Sequence, residues 1–129
     1  MNIEIRYKDE EKAVFVVDGV DDTFINTIRR ICLVEIPTFA IEDVNIYKND
    51  AKMFDEVLAH RLGLIPLVTD LDSHIMPKDC DCESHCEKCS VSFLLKEKGP
   101  KIVYSKDLKS DDPVVKPVYD TIPIVRLRE

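Results

Sequence analysis

Apolar and polar positions alternate along the start of the chain. Ile3, Ile5 and Tyr7 take turns with Glu4, Arg6 and Lys8, the period-2 pattern of a strand with one face buried. Asp9 to Lys12 is a polar turn and Ala13 to Val17 a second, more apolar strand, so a hairpin is predicted. Asp18-Gly19 ends it. The period then becomes helical. Phe24, Ile25, Ile28, Ile31 and Cys32 share one broad stripe at about 100° per residue, while Leu33 and Val34 point elsewhere. Asp21, Asp22 and Thr23 offer N-cap oxygens, and Pro37 ends the helix. A helix apolar on more than one side needs two covers, one from its own domain and one from a partner. Cys32 reads as a small buried side chain of this helix, and Arg29 and Arg30 occupy the remaining sector.

Ala40 to Tyr47 alternates and is predicted as a strand. A second helix is predicted from Lys52 to Leu62, with Asn49 and Asp50 as turn and cap, Gly63 just past its end and Pro66 soon after. Phe54, Val57, Leu58 and Leu62 share a face, with Arg61 in its middle. That guanidinium must find oxygens or reach past the stripe to water. Glu56 and His60, four apart, read as a solvated helix face. Leu64 to Val68 leaves in extended form. Val91 to Lys96 is predicted as a strand, with Ile102 to Tyr104 returning beside it. Ser105 to Pro117 is a charged connector, and Thr121 to Arg128 is a last strand.

Between Thr69 and Ser90 the chain is polar and irregular, and it needs something other than an apolar core to order it. Cys80, Cys82, Cys86 and Cys89 stand in C-x-C-x₃-C-x₂-C spacing. Four thiolates this close can converge on one tetrahedral zinc ion, so that binding becomes local folding free energy. A closed set of four leaves no open coordination position, which makes the site structural. An iron–sulfur cluster is the alternative occupant, although ferredoxin-type runs use C-x₂-C-x₂-C and a following proline, and Ser90 follows here. His74 and His85 are possible substitute ligands but read as surface loop residues.

Composition narrows the function. The chain has 129 residues, 45% of them hydrophobic and 33% charged, enough for a core and a soluble surface. Its formal net charge of −7 disfavours strong independent binding to nucleic acid. No apolar run approaches the roughly 18 residues of a membrane span, and no secretory signal pattern opens the chain. Bunched cysteines suit metal ligation in a reducing, cytoplasmic compartment. No nucleophile elbow, P-loop or HExxH motif is present, so no catalytic residue is assigned and no activity is expected of the chain alone. Two rivals remain: a free zinc-binding nucleic-acid module, and a thiol redox enzyme using Cys86 and Cys89.

NTIRR followed by EIPTFAIEDV, then FDEVLAHRLGLIPL, then the four-cysteine loop, resembles the archaeal D subunit of DNA-dependent RNA polymerase. That family is related to the bacterial α subunit and to the third subunit of eukaryotic RNA polymerase II, whose member holds zinc in the corresponding loop. The resemblance implies an α+β fold in which a split dimerisation domain, 1–38 plus 121–129, carries an inserted mixed α/β domain, 39–120, with a metal loop at 79–90. It implies a non-catalytic assembly platform that forms a heterodimer with subunit L and receives the large catalytic subunits, helped by small subunits N and P. By position in the motifs, Phe24, Asn26, Ile28, Arg29, Arg30 and Ile31 of the first helix and His60, Arg61 and Leu62 of the second are the implied interface residues. Family members continue past the IPIVRL strand into a further strand and helix, so the resemblance also implies that this sequence is a fragment or an incomplete gene product. The separate ferredoxin-like domain of some relatives has no counterpart here.

Overall fold

The computed structural model describes residues 1–10, 12–83 and 85–128. Glu11 in the polar turn, Ser84 in the cysteine loop and Glu129, last residue of the 121–129 span that the resemblance implies, lie outside the described residues. The chain divides into two units, Met1–Ile36 and Pro37–Glu129.

In the first unit, β1 (Asn2–Lys8) and β2 (Ala13–Asp18) form the predicted antiparallel hairpin, with Ile3 opposite Val17 and Ile5 opposite Phe15. Gly19 follows β2 at φ 75°, a left-handed conformation that a side chain would resist. The helix α1 (Asp22–Val34) follows. Asp21 occupies the N-cap position but caps with its backbone alone. Its carbonyl accepts the Phe24 and Ile25 N–H groups, and its side chain makes no capping bond. The distribution of exposure is unusual for so apolar a sequence. No described residue of this unit is buried, and only Val17, Val20 and Ile25 are half-covered. Cys32 is exposed, contrary to its sequence reading, because it shares a face with side chains that nothing covers.

The second unit holds the core. Its helix α2 (Asp55–Gly63) inserts Leu58 and Leu62, which pack with Ile65, Leu67, Val103 and Ile124. The helix starts three residues later than predicted because Asn49 organises the preceding turn. Its Oδ1 accepts the Ala51 N–H, and its Nδ2 donates to the Met53 carbonyl and to Asp55 Oδ1. Gly63 is the last helical residue, with Leu64 at the C-cap.

The predicted strand from Ala40 to Tyr47 is irregular chain. Its alternation serves packing, since Ile41, Val44 and Ile46 lean on the core, but among the described residues no neighbouring strand supplies a hydrogen-bonded ladder. Strand pairing also differs from expectation. The run from Val91 keeps only β3 (Phe93–Leu94) as strand. β3 pairs with β5 (Lys109–Ser110), inside the supposed connector. β4 (Lys101–Tyr104) pairs with β6 (Pro123–Leu127), placing Val103 opposite Val125. Alternation specifies which face of a strand is buried and leaves its partner open. Here Val103, Ile124 and Val125, all buried, select β6. The segment from Thr121, which the resemblance assigns to the dimerisation domain, is thus hydrogen-bonded to β4. Ser105, fully buried just past β4, donates its hydroxyl to the Tyr119 carbonyl and accepts the Ile122 N–H at 3.2 Å.

Candidate metal centre

The four cysteines converge. Cys80 Sγ lies 3.6 Å from Cys86 Sγ, Cys82 Sγ lies 3.6 Å from Cys89 Sγ, and Cys86 and Cys89 are 3.7 Å apart. All four sulfurs fall within 4.8 Å of one another. Local backbone chemistry builds this convergence from the two ends of the loop. On the approach, a single 3-10 turn (Pro77–Asp79) has proline where the missing N–H does no harm, and the Cys80 N–H closes it on the Pro77 carbonyl. On the exit, the Cys89 N–H donates to the Cys86 carbonyl at 3.0 Å, and the Cys86 N–H points back at Cys89 Sγ at 3.4 Å. Ser90 hydrogen-bonds the Cys86 carbonyl through both its N–H and its hydroxyl. Cys89 is buried and the other three sulfurs are half-covered.

The protonation of the quartet fits a cation. The Lys88 backbone N–H, together with Cys80, holds the Cys86 thiol down at about 7. Cys82 is pushed up to about 12, first by Cys80 and then by desolvation and the other two sulfurs. Neighbouring sulfurs at this spacing cannot all ionise without a compensating positive charge. A divalent ion at their centre supplies that charge, and the donor set therefore fits a metal.

The two loop histidines are elsewhere. His85 Nε2 lies 3.6 Å from Asp43 Oδ2, with both side chains exposed. His74 contradicts its reading as a surface residue. Its side chain is only 8% exposed, edge-on to Phe39 with ring centroids 5.0 Å apart. Its immediate neighbours are exposed, so no local pattern marked it.

The residues implied as an interface divide by unit. On α1, Phe24, Ile28 and Ile31 are 49%, 41% and 41% exposed. Asn26, Arg29 and Arg30 are exposed beside them, and Arg29 Nε reaches Asn26 Oδ1 at 3.5 Å. A shallow groove of about 340 Å³ lined by Phe15, Val17, Asp22, Ile25 and Asn26 lies in the same unit. On α2, His60 is exposed and Arg61 donates to the Pro123 carbonyl. Leu62 differs from expectation: its side chain is buried in the core of the second unit, so it supports α2 from inside. Among the described residues no helix is long and apolar enough to cross a membrane.

Comparison with known proteins agrees with this anatomy. The family described as the RNA polymerase Rpb3/RpoA insert domain matches residues 34–129, beginning close to the break between the two units. The chain is 84% identical to the DNA-directed RNA polymerase subunit Rpo3 of Methanosphaera stadtmanae, with all of this chain and 50% of the relative covered. It is 58% identical to the subunit of that name in Methanothermobacter thermautotrophicus, covering 98% of this chain and 49% of the relative. With the Pyrococcus furiosus subunit it shares 45% identity over 100% of this chain and 48% of the relative. The chain thus spans about half the length of the curated relatives it matches. With the cysteine loop, the core and the matched span in agreement, the chain belongs to the RNA polymerase Rpb3/RpoA insert-domain family and is similar along its whole length to archaeal polymerase subunit Rpo3.

Proposed function

We propose that the chain acts as a non-catalytic assembly platform of a DNA-directed RNA polymerase. In this reading its first unit forms a heterodimer with subunit L, and the pair receives the large catalytic subunits and small subunits N and P in the cytoplasm. The observation that carries it is the first unit's missing core. A hairpin and a helix rich in Ile, Val and Phe leave every described side chain exposed or half-covered. So many exposed apolar side chains in one small unit favour a protein interface. Residues 1–38 are then the first part of a dimerisation domain to which 121–129 leads back, and the intervening chain is the insert.

The metal is zinc in this proposal. Four sulfurs around one ion with Zn–S bonds near 2.3 Å sit about 3.8 Å apart by tetrahedral geometry. Three of the spacings, 3.6 to 3.7 Å, are close to that, and all four sulfurs lie within 4.8 Å of one another. An iron–sulfur cluster distributes its thiolates over different irons and so spreads them further. When bound, the ion supplies positive charge and a crosslink. Cys80, Cys82, Cys86 and Cys89 would hold it and leave no open position for water or substrate.

Co-expression of the chain with subunit L, followed by size exclusion, tests the platform role. A one-to-one complex is expected. A chain that elutes alone in the presence of subunit L contradicts it. The rival nucleic-acid module predicts a salt-dependent shift of labelled DNA or RNA, which the net charge of −7 opposes.

A further inference from the structure

His74 has an ionisable side chain only 8% exposed that the cysteine quartet does not use, and its partners join the segments from which the loop springs. Ser73 Oγ donates to Asp70 Oδ2 and lies 3.0 Å from His74 Nδ1. On its other side, His74 Nε2 faces Asp112 Oδ2 at 3.7 Å. Both ring nitrogens therefore meet oxygen atoms. Asp112 is itself fixed, because its Oδ1 accepts the N–H groups of Val114 and Val115 at 2.7 and 3.1 Å, and Val115 is fully buried.

The same turn grips the other end of the loop. Ser92 N–H donates to Asp111 Oδ1 at 3.0 Å and the Asp111 N–H returns to the Ser92 carbonyl at 3.1 Å. The β3–β5 pairing continues from there. The exit of the cysteine loop is thus held at Ser92, and the backbone tie on the entry side lies at Val68, whose N–H donates to the Lys116 carbonyl at 2.8 Å, twelve residues before Cys80. From Asp70 to Asp79, among the described residues, His74 supplies the only side-chain hydrogen bond or ion pair to a residue outside the loop. One backbone bond, from the Ile75 N–H to the Lys88 carbonyl at 3.0 Å, then ties the entry to the Cys86–Cys89 turn.

We propose that His74 is a positioning residue for the metal loop, latching its entry to the Asp112 turn so that the sulfurs of the entry limb, Cys80 and Cys82, are held against those of Cys86 and Cys89. The role rests on the reading that the quartet binds a metal. Held ends lower the entropy that the chain must lose each time the four ligands close. Release of the metal begins with opening of that same limb. Outer partners of this kind typically change metal affinity by about 10- to 100-fold.

The test uses the full chain loaded with zinc and follows transfer of zinc to an excess of a chromophoric chelator. His74→Phe keeps an aromatic ring against Phe39 and removes both polar contacts. Asp112→Asn keeps the acceptor for Val114 and Val115. Each should speed release about tenfold, and the double variant should be no faster than either alone, since both break one link. Ile124→Val, which trims the core away from the loop, should release zinc at the wild-type rate. Wild-type rates in both latch variants, or equal acceleration by Ile124→Val, would overturn the positioning role while leaving the metal reading intact. A wild-type chain that retains no zinc would overturn both.

Discussion

Arg61 Nη2 donates to the backbone carbonyl of Pro123 at 3.0 Å, across 62 residues of sequence, and so ties α2 to the first residue of β6. The apolar face on which Arg61 sits thus resolves its charge by reaching a carbonyl, not by burial with a carboxylate. Arg61→Met preserves the stem and removes the donor. It should lower stability by about 1 kcal/mol, measured as a shift in the urea midpoint. Arg61→Lys should recover only part of that, because an ammonium lacks the planar fork. Equal midpoints for wild type and Arg61→Met would show that the contact contributes nothing.

Gly99 has no room for a side chain. A Cβ there would stand 2.5 Å from the Arg128 carbonyl oxygen and 3.1 Å from Leu127 Cβ. The first obstacle is backbone, which cannot swing aside as a side-chain tip can. Gly99→Ala should therefore cost about 1 to 3 kcal/mol, seen as a lower thermal midpoint. Lys98→Ala, next to it and exposed, should be nearly neutral.

Asp107 links acid to stability. Its Oδ2 accepts the Tyr104 N–H at 2.8 Å and its Oδ1 lies 3.6 Å from Lys101 Nζ. The Tyr104 N–H chiefly, and Lys101 after it, hold the carboxyl below the usual aspartate range. The folded state therefore favours the ionised form. The stabilisation is complete above the unfolded pKa, near 3.9, and is lost as pH falls through the lower folded value. Urea midpoints of wild type and Asp107→Asn should differ at about pH 5 and converge as acidification carries the carboxyl through its lowered folded value. A difference that stays constant over that range would contradict this assignment.

Metal removal should act locally. The core of the second unit is made by α2, β4 and β6, outside the cysteine loop. Chelation should speed amide exchange in the loop from Met76 to Ser90 while β4 and β6 keep their protection. Elemental analysis should find one zinc per wild-type chain, and serine at any one of Cys80, Cys82, Cys86 or Cys89 should abolish tight retention. Collapse of the whole second unit on chelation would show that the ion supports more than its loop.

The sequence exposed most clearly those features whose cause is local. Alternation over Ile3 to Tyr7 and the stripe through Phe24, Ile28 and Ile31 were sufficient for β1 and α1. The cysteine spacing was sufficient for the quartet. Features with distant causes were hidden. The choice of β6 over β3 as partner of β4 depends on which buried surfaces match, and 40–47 runs irregularly because, among the described residues, it pairs with no strand. His74 was misplaced because its burial comes from Phe39 and Asp112, each more than thirty positions away.

In the proposed function, subunit L covers the exposed apolar face of α1. Ile28→Glu combined with Ile31→Glu tests it most directly in the 129-residue chain, by co-purification with subunit L beside thermal unfolding of the chain alone. Both side chains are exposed, so the chain's own stability should move by less than about 0.5 kcal/mol, while recovery of subunit L should fall to background. Undiminished recovery of subunit L with the double variant would contradict the account.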